Sequence, residues 1–180
     1  MRALAILLFS FSLAATSSSA QTTWDTLNFG QSRDSVHAYL DNQNLAVSST
    51  PDNNLQTNSD YPILIPGLLY PIPVMVTFQF DANSHLAEIT LALDLPAMRH
   101  DWAAIGPDEA LYTFASDKLA FALAGQYGAP TFSSSTCNAA TEATPCTLQW
   151  HGSTNQSIQL ERIPTGRHLR IHYLPQAPTL

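Results

Sequence analysis

Apolar and polar positions alternate most strictly over residues 74–93. Val74, Val76, Phe78 and Phe80 are interleaved with Met75, Thr77 and Gln79, and a period of two is that of a strand buried on one face. Asp81-Ala82-Asn83-Ser84 supplies turn residues. Beyond it Ala87, Ile89, Leu91 and Leu93 alternate with Glu88, Thr90 and Ala92, so the two runs predict a hairpin with one core face. The same period returns near the C-terminus. Leu148 and Trp150, then Ile158 and Leu160, then Leu169, Ile171 and Tyr173 alternate with polar neighbours, separated by the turn-forming runs 151–156 and 164–166.

A longer period predicts two helices. In the first, Val36, Tyr39 and Leu40 make one stripe, Ser32 can cap the start, Asp34 complements the dipole, and the polar run 41–44 stops it. In the second, Leu111, Phe114, Ala115, Leu119 and Ala122 follow the 3.6-residue period. Gly106 can cap it, Pro107 fits the first turn, and Asp108 and Glu109 complement the dipole. Gly128 fits the left-handed closing position and Pro130 bars continuation. The order is helix, strands, helix, strands. It predicts an α+β fold of two helix-then-antiparallel-meander units, residues 24–95 and 104–174 of a single domain 21–174, with helices packed on one face of antiparallel sheet. Residues 175–180 read as a flexible tail.

Between the first helix and the hairpin lies an apolar segment broken by Pro62, Pro66, Pro71 and Pro73. The prolines forbid a helix and argue against a central strand. Pro66-Gly67 suits the middle of a type II turn, which leaves two extended arms. Tyr61, Ile63, Leu64, Ile65, Leu68, Leu69, Tyr70 and Ile72 make this segment the candidate partner surface if it runs over the outside. The competing expectation is that the arms join the sheet and cover the core.

Composition then sets the compartment. Met1-Arg2 precedes an apolar run of signal-peptide length, and Ser18 and Ala20 occupy the small positions before a cleavage point, so a signal peptide cleaved after Ala20 is expected. No Cys stands directly after that point, which argues against a lipid anchor, and no later segment is apolar enough to cross a membrane. Charged residues are 12% of the 180-residue chain and the net charge is −7, with Lys118 the single lysine. That balance excludes an electrostatic footprint for nucleic acid. A periplasmic or secreted bacterial protein is the expectation. In an oxidising compartment Cys137 and Cys146, nine positions apart, are expected to form a disulfide.

Gly30-Gln31-Ser32 followed by Val36, and Gln126-Tyr127-Gly128-Ala129-Pro130 at the exit of the second helix, resemble the helix starts and ends of small bacterial envelope proteins. Two such families are the SmpA/OmlA type of outer-membrane assembly lipoprotein and the beta-lactamase inhibitor proteins, built from tandem helix–sheet units. The resemblance implies a non-catalytic helix-plus-sheet module that binds another envelope or secreted protein, and it assigns no functional residue.

Catalytic chemistry finds little footing. Gly30 has neither the further glycines nor the lysine of a phosphate loop. Asp81 and Asn83 occupy two positions of a calcium loop, but Leu86 stands where its glycine belongs. His168, Arg170 and His172 share one face of the last strand. Four residues of strand span roughly 13 Å, too far for both imidazoles to hold one metal without help from His151 or Glu161. No metal and no cofactor is expected. The alternatives kept beside a binding module are a small secreted hydrolase with a cleft near His100 and Asp101, and a carrier of a lipophilic ligand.

Overall fold

The computed structural model describes residues 27–65, 68–134, 137, 145–152 and 156–176, with only the backbone of 63–65 and 68–70. The expected signal peptide therefore lies outside the described residues, as do the Pro66-Gly67 turn and the last four residues of the tail. The described chain runs α1 (Arg33–Asn42), β1 (Ser48–Ser49), β2 (Leu55–Ile65), β3 (Leu68–Phe80), β4 (Leu86–Leu93), α2 (Leu95–Asp101), a 3-10 turn (Ala103–Ile105), α3 (Asp108–Tyr127), β5 (Phe132–Ser133), β6 (Cys146–His151), β7 (Gln156–Ile163) and β8 (His168–Pro175). The fold is α+β, as the two periods predict.

The eight described strands form one antiparallel sheet in the order β1-β2-β3-β4-β8-β7-β6-β5. Each half contributes a four-stranded meander, and the last strands of the two, β4 and β8, pair in the middle. The alternating apolar positions of every long strand go to one side. There Val76, Phe78, Ile89, Leu91, Ile171, Tyr173, Leu160 and Trp150 form a single core with Val36 and Leu40 of α1, Met98 of α2, and Leu111, Ala115, Leu119 and Leu123 of α3. The helices thus share one face of the sheet, and no described helix is long and apolar enough to cross a membrane.

Local chemistry fixes the helix ends. Gly30 turns the chain at φ +87°, and Ser32 caps α1 by accepting from the Ser35 N–H at 3.3 Å. The start is pinned to the β3–β4 turn, with Gly30 N–H donating to Leu86 O and Leu86 N–H to Gln31 O. Gly30 is therefore a hinge before a capped helix. Gly128 ends α3 at φ +86°, and its carbonyl accepts from the Trp150 indole N–H at 3.0 Å, tying that helix end to β6.

Four expectations change in detail. Pro62, Pro71 and Pro73 stand in β2 and β3, both interior in the strand order, and Pro66 lies outside the described residues. They are tolerated because residues 68–73 pair with β2 alone and β1 reaches only Leu55 and Gln56, so Pro62 and Pro71 stand on free edges of a two-stranded arm and Pro73 sits at its base, its carbonyl accepting from Asp94 N–H. Ala87 is only half-buried: the register shifts between Gln79 and Phe80, pairing Phe80 with Leu86 and leaving Ala87 unopposed, so Leu86 becomes the core residue. Phe114 and Ala122 are half-buried, while Tyr112, Ser116 and Leu123 are buried in their place. Pro175 belongs to β8, opposite Gln156, and not to a loose tail. The connection 94–101 also holds a helix that periodicity misses. Asp94 caps α2 by accepting from Ala97 N–H at 3.0 Å, with Pro96 in the first turn.

Candidate functional site

Strand alternation that sends apolar residues to the helices sends the intervening polar ones to the opposite side, where no described element packs. Register brings them into line. Gln56, Thr77, Thr90, His172, Gln159, Gln149 and Phe132 stand directly opposite one another in succession, one row crossing seven strands. A second row holds Asn58, Met75, Ala92, Arg170, Glu161 and Thr147.

His172 is the hub. Its Nδ1 lies 2.6 Å from Glu88 Oε1 and its Nε2 3.6 Å from Glu161 Oε2. Thr90 Oγ1 donates to the same Glu88 oxygen at 2.8 Å and accepts from Gln79 Nε2 at 3.2 Å. Arg170 reaches Glu161 at 3.7 Å. Outlying pairs continue the pattern, Gln56 Nε2 to Thr77 Oγ1 at 3.1 Å and Gln149 Nε2 to Ser157 Oγ at 2.9 Å. The hub side chains are 21–32% exposed although nothing described covers them, because they shield one another.

Two of the three large apolar side chains that stand exposed among the described residues, Met75 and Phe132, flank this network; the third, Phe121, is on α3. Five strand spacings separate β3 from β5, so the two lie roughly 24 Å apart. That breadth is of the order of one partner's share of a protein–protein contact.

Nδ1 of His172 is paired with Glu88 and the Thr90 hydroxyl donates to the same carboxylate, while Nε2 lies 3.6 Å from Glu161, beyond hydrogen-bonding distance. Among the described residues no three His, Cys, Asp or Glu side chains are grouped to hold a metal. His168 and His172 do share a face, with Glu161 beside the second, but His168 and His151 stand exposed away from the hub. His100 and Asp101 form an exposed pair at the end of α2, with Nδ1 2.8 Å from Oδ1 and no hydrogen bond to a described serine.

The proline-punctuated segment falls elsewhere. Tyr61 and Ile72 are 2% and 0% exposed, core residues and not a surface, which corrects the expectation for those two. The arms join the sheet in continuous register from Leu55 opposite Phe78 to Ile65 opposite Leu68. The side chains of Ile63, Leu64, Ile65, Leu68, Leu69 and Tyr70 lie outside the described residues. Cys137 and Cys146 are joined in a disulfide with Cα atoms 4.9 Å apart, which anchors residue 137 to the start of β6. Sequence reasoning separates the outward positions of the long strands from the core ones; what it misses is which of them meet across strands, because His172 joins Glu88 and Thr90 only through the β4–β8 register.

Comparison with family models, curated proteins and solved structures gives no match to the chain.

Proposed function

We propose that the chain is an exported, non-catalytic protein-binding module of the bacterial cell envelope, and that it docks its partner on the open side of the sheet. The observation that carries this reading is the pairing of two exposed apolar side chains, Met75 and Phe132, with a self-satisfied polar network between them. Apolar anchors beside polar groups that keep their hydrogen bonds are what a protein interface needs, since unpaired polar groups are costly to bury there. The disulfide is compatible with an oxidising compartment, and the first twenty residues have the signal-peptide pattern. The hydrolase alternative has less support: the His100–Asp101 pair is solvent-facing and bonded to no described hydroxyl nucleophile.

Photo-crosslinking tests the proposal. A benzophenone side chain placed at Met75 or at Phe132 is expected to trap the same envelope protein, while one at Phe121 on the helix side traps none. The Met75→Arg substitution should weaken that capture at least tenfold. Capture from Phe121 alone, or capture indifferent to Met75→Arg, would contradict it.

A further inference from the structure

Beneath α3, on the covered side of the sheet, one cation is set into the protein without a carboxylate partner. Arg162 occupies a core-side position of β7, opposite the buried Cys146 and Leu169. Its Nη2 donates to the Ser116 carbonyl at 3.2 Å. Its Nε is buried and makes no hydrogen bond, and Arg162 takes part in none of the ion pairs among the described residues. Tyr112 lies one helical turn before Ser116 on the same stripe of α3. Its ring is 6% exposed and its hydroxyl too is buried without a hydrogen-bond partner. Guanidinium and phenol are close enough for each to perturb the other.

Burial pushes the Tyr112 pKa up, so the hydroxyl remains a donor through the neutral range. Burial also lowers the Arg162 pKa from its ordinary value, which marks the desolvation of that charge, with Asp117 and Tyr112 acting in the opposite sense. Two buried donors, one carried by a cation, therefore face the same turn of α3 with no acceptor from the protein. Leaving such donors unpaired is costly, and buried charges are normally paired.

We infer that Arg162 Nε and the Tyr112 hydroxyl share one small monovalent anion, of halide type, held under α3. A doubly charged oxyanion suits the place less well. Asp117 and Glu109 stand on the solvent side and repel a double negative charge more strongly than a single one. The site lies on the opposite side of the sheet from His172 and the docking face, so it stands or falls independently of the proposed function.

Two measurements on the full chain decide it. In the first, the thermal midpoint is followed as sodium chloride replaces sodium gluconate at constant ionic strength. The wild-type midpoint should rise by about 2–4 °C toward saturation, and Tyr112→Phe and Arg162→Met should each lose at least half of that rise. In the second, which needs no variant to fold, crystals of the wild type are soaked in bromide. An anomalous peak should appear within hydrogen-bonding reach of both Arg162 Nε and Tyr112 Oη. A wild-type midpoint that is the same in both salts, a rise that both variants retain in full, or a bridging water with no anomalous signal would each overturn the inference.

Discussion

Asp81 shows how much one side chain settles locally. Its Oδ1 accepts from the backbone N–H groups of Asn83 and His85, both at 2.9 Å, and so closes the turn between β3 and β4. The His85 hydrogen bond is the main cause that holds the Asp81 carboxyl below its ordinary value of 3.8; desolvation, next in size, opposes it, and the Asn83 bond and the nearby imidazole add smaller lowering effects. A carboxyl depressed on folding adds stability that is fully present above the unfolded value and is lost as pH falls through the lower folded one. Asp81→Asn mimics the protonated group. The wild type should exceed it in urea stability at neutral pH, and the difference should close below pH ~4. A difference that persists unchanged into acid would mean the charge contributes nothing. This turn was readable from its residue types, since an Asx turn uses its own side chain. The pairing of His172 with Glu88 was not: the two are far apart in sequence and meet only across β4 and β8.

At the scale of elements, the arm made by β2 and β3 explains its prolines. Pro73 O accepts from Asp94 N–H, so that residue's backbone polar groups point away from β2. Pro71 is two residues away in the same phase, and Pro62 stands opposite it. The ring nitrogens of Pro62 and Pro71 therefore lie on free edges of the arm, each removing a donor that a second strand would use, while Pro73 is buried at the base of the arm beside Asp94. The Pro71→Val variant should sediment as larger species than the wild type at equal concentration, because it restores a donor on an edge that pairs. An unchanged distribution would show that Pro71 guards nothing. Periodicity read the long elements well: α1, α3 and the meander strands follow their stripes. It passed over α2, whose seven residues are too few for a stripe, although Asp94 before Pro96 is a capping signal. It also placed Phe114 in the core, where a contiguous apolar stripe would put it. In the fold Phe114 sits at the rim, against Trp102 and under the Lys118 ammonium.

For the whole molecule the decisive property is that one sheet has two unlike sides. The covered side is a continuous apolar core beneath α1, α2 and α3. The other carries the His172 network between Met75 and Phe132. The alternation that creates this asymmetry was legible strand by strand, and so was the order of helix and meander in each half. The strand order was not, because nothing local to β4 or β8 specifies that these two should pair and fuse the meanders into a single sheet. The open side is available to a partner only if that asymmetry holds in solution. The most direct measurement is paramagnetic attenuation of methyl resonances by an inert gadolinium chelate in the wild-type protein. The fold predicts strong attenuation of Met75, Thr77 and Ala92 and protection of their neighbours Val76, Leu91 and Ile171. Equal attenuation on both sides of the sheet, or protection of Met75, Thr77 and Ala92, would contradict it.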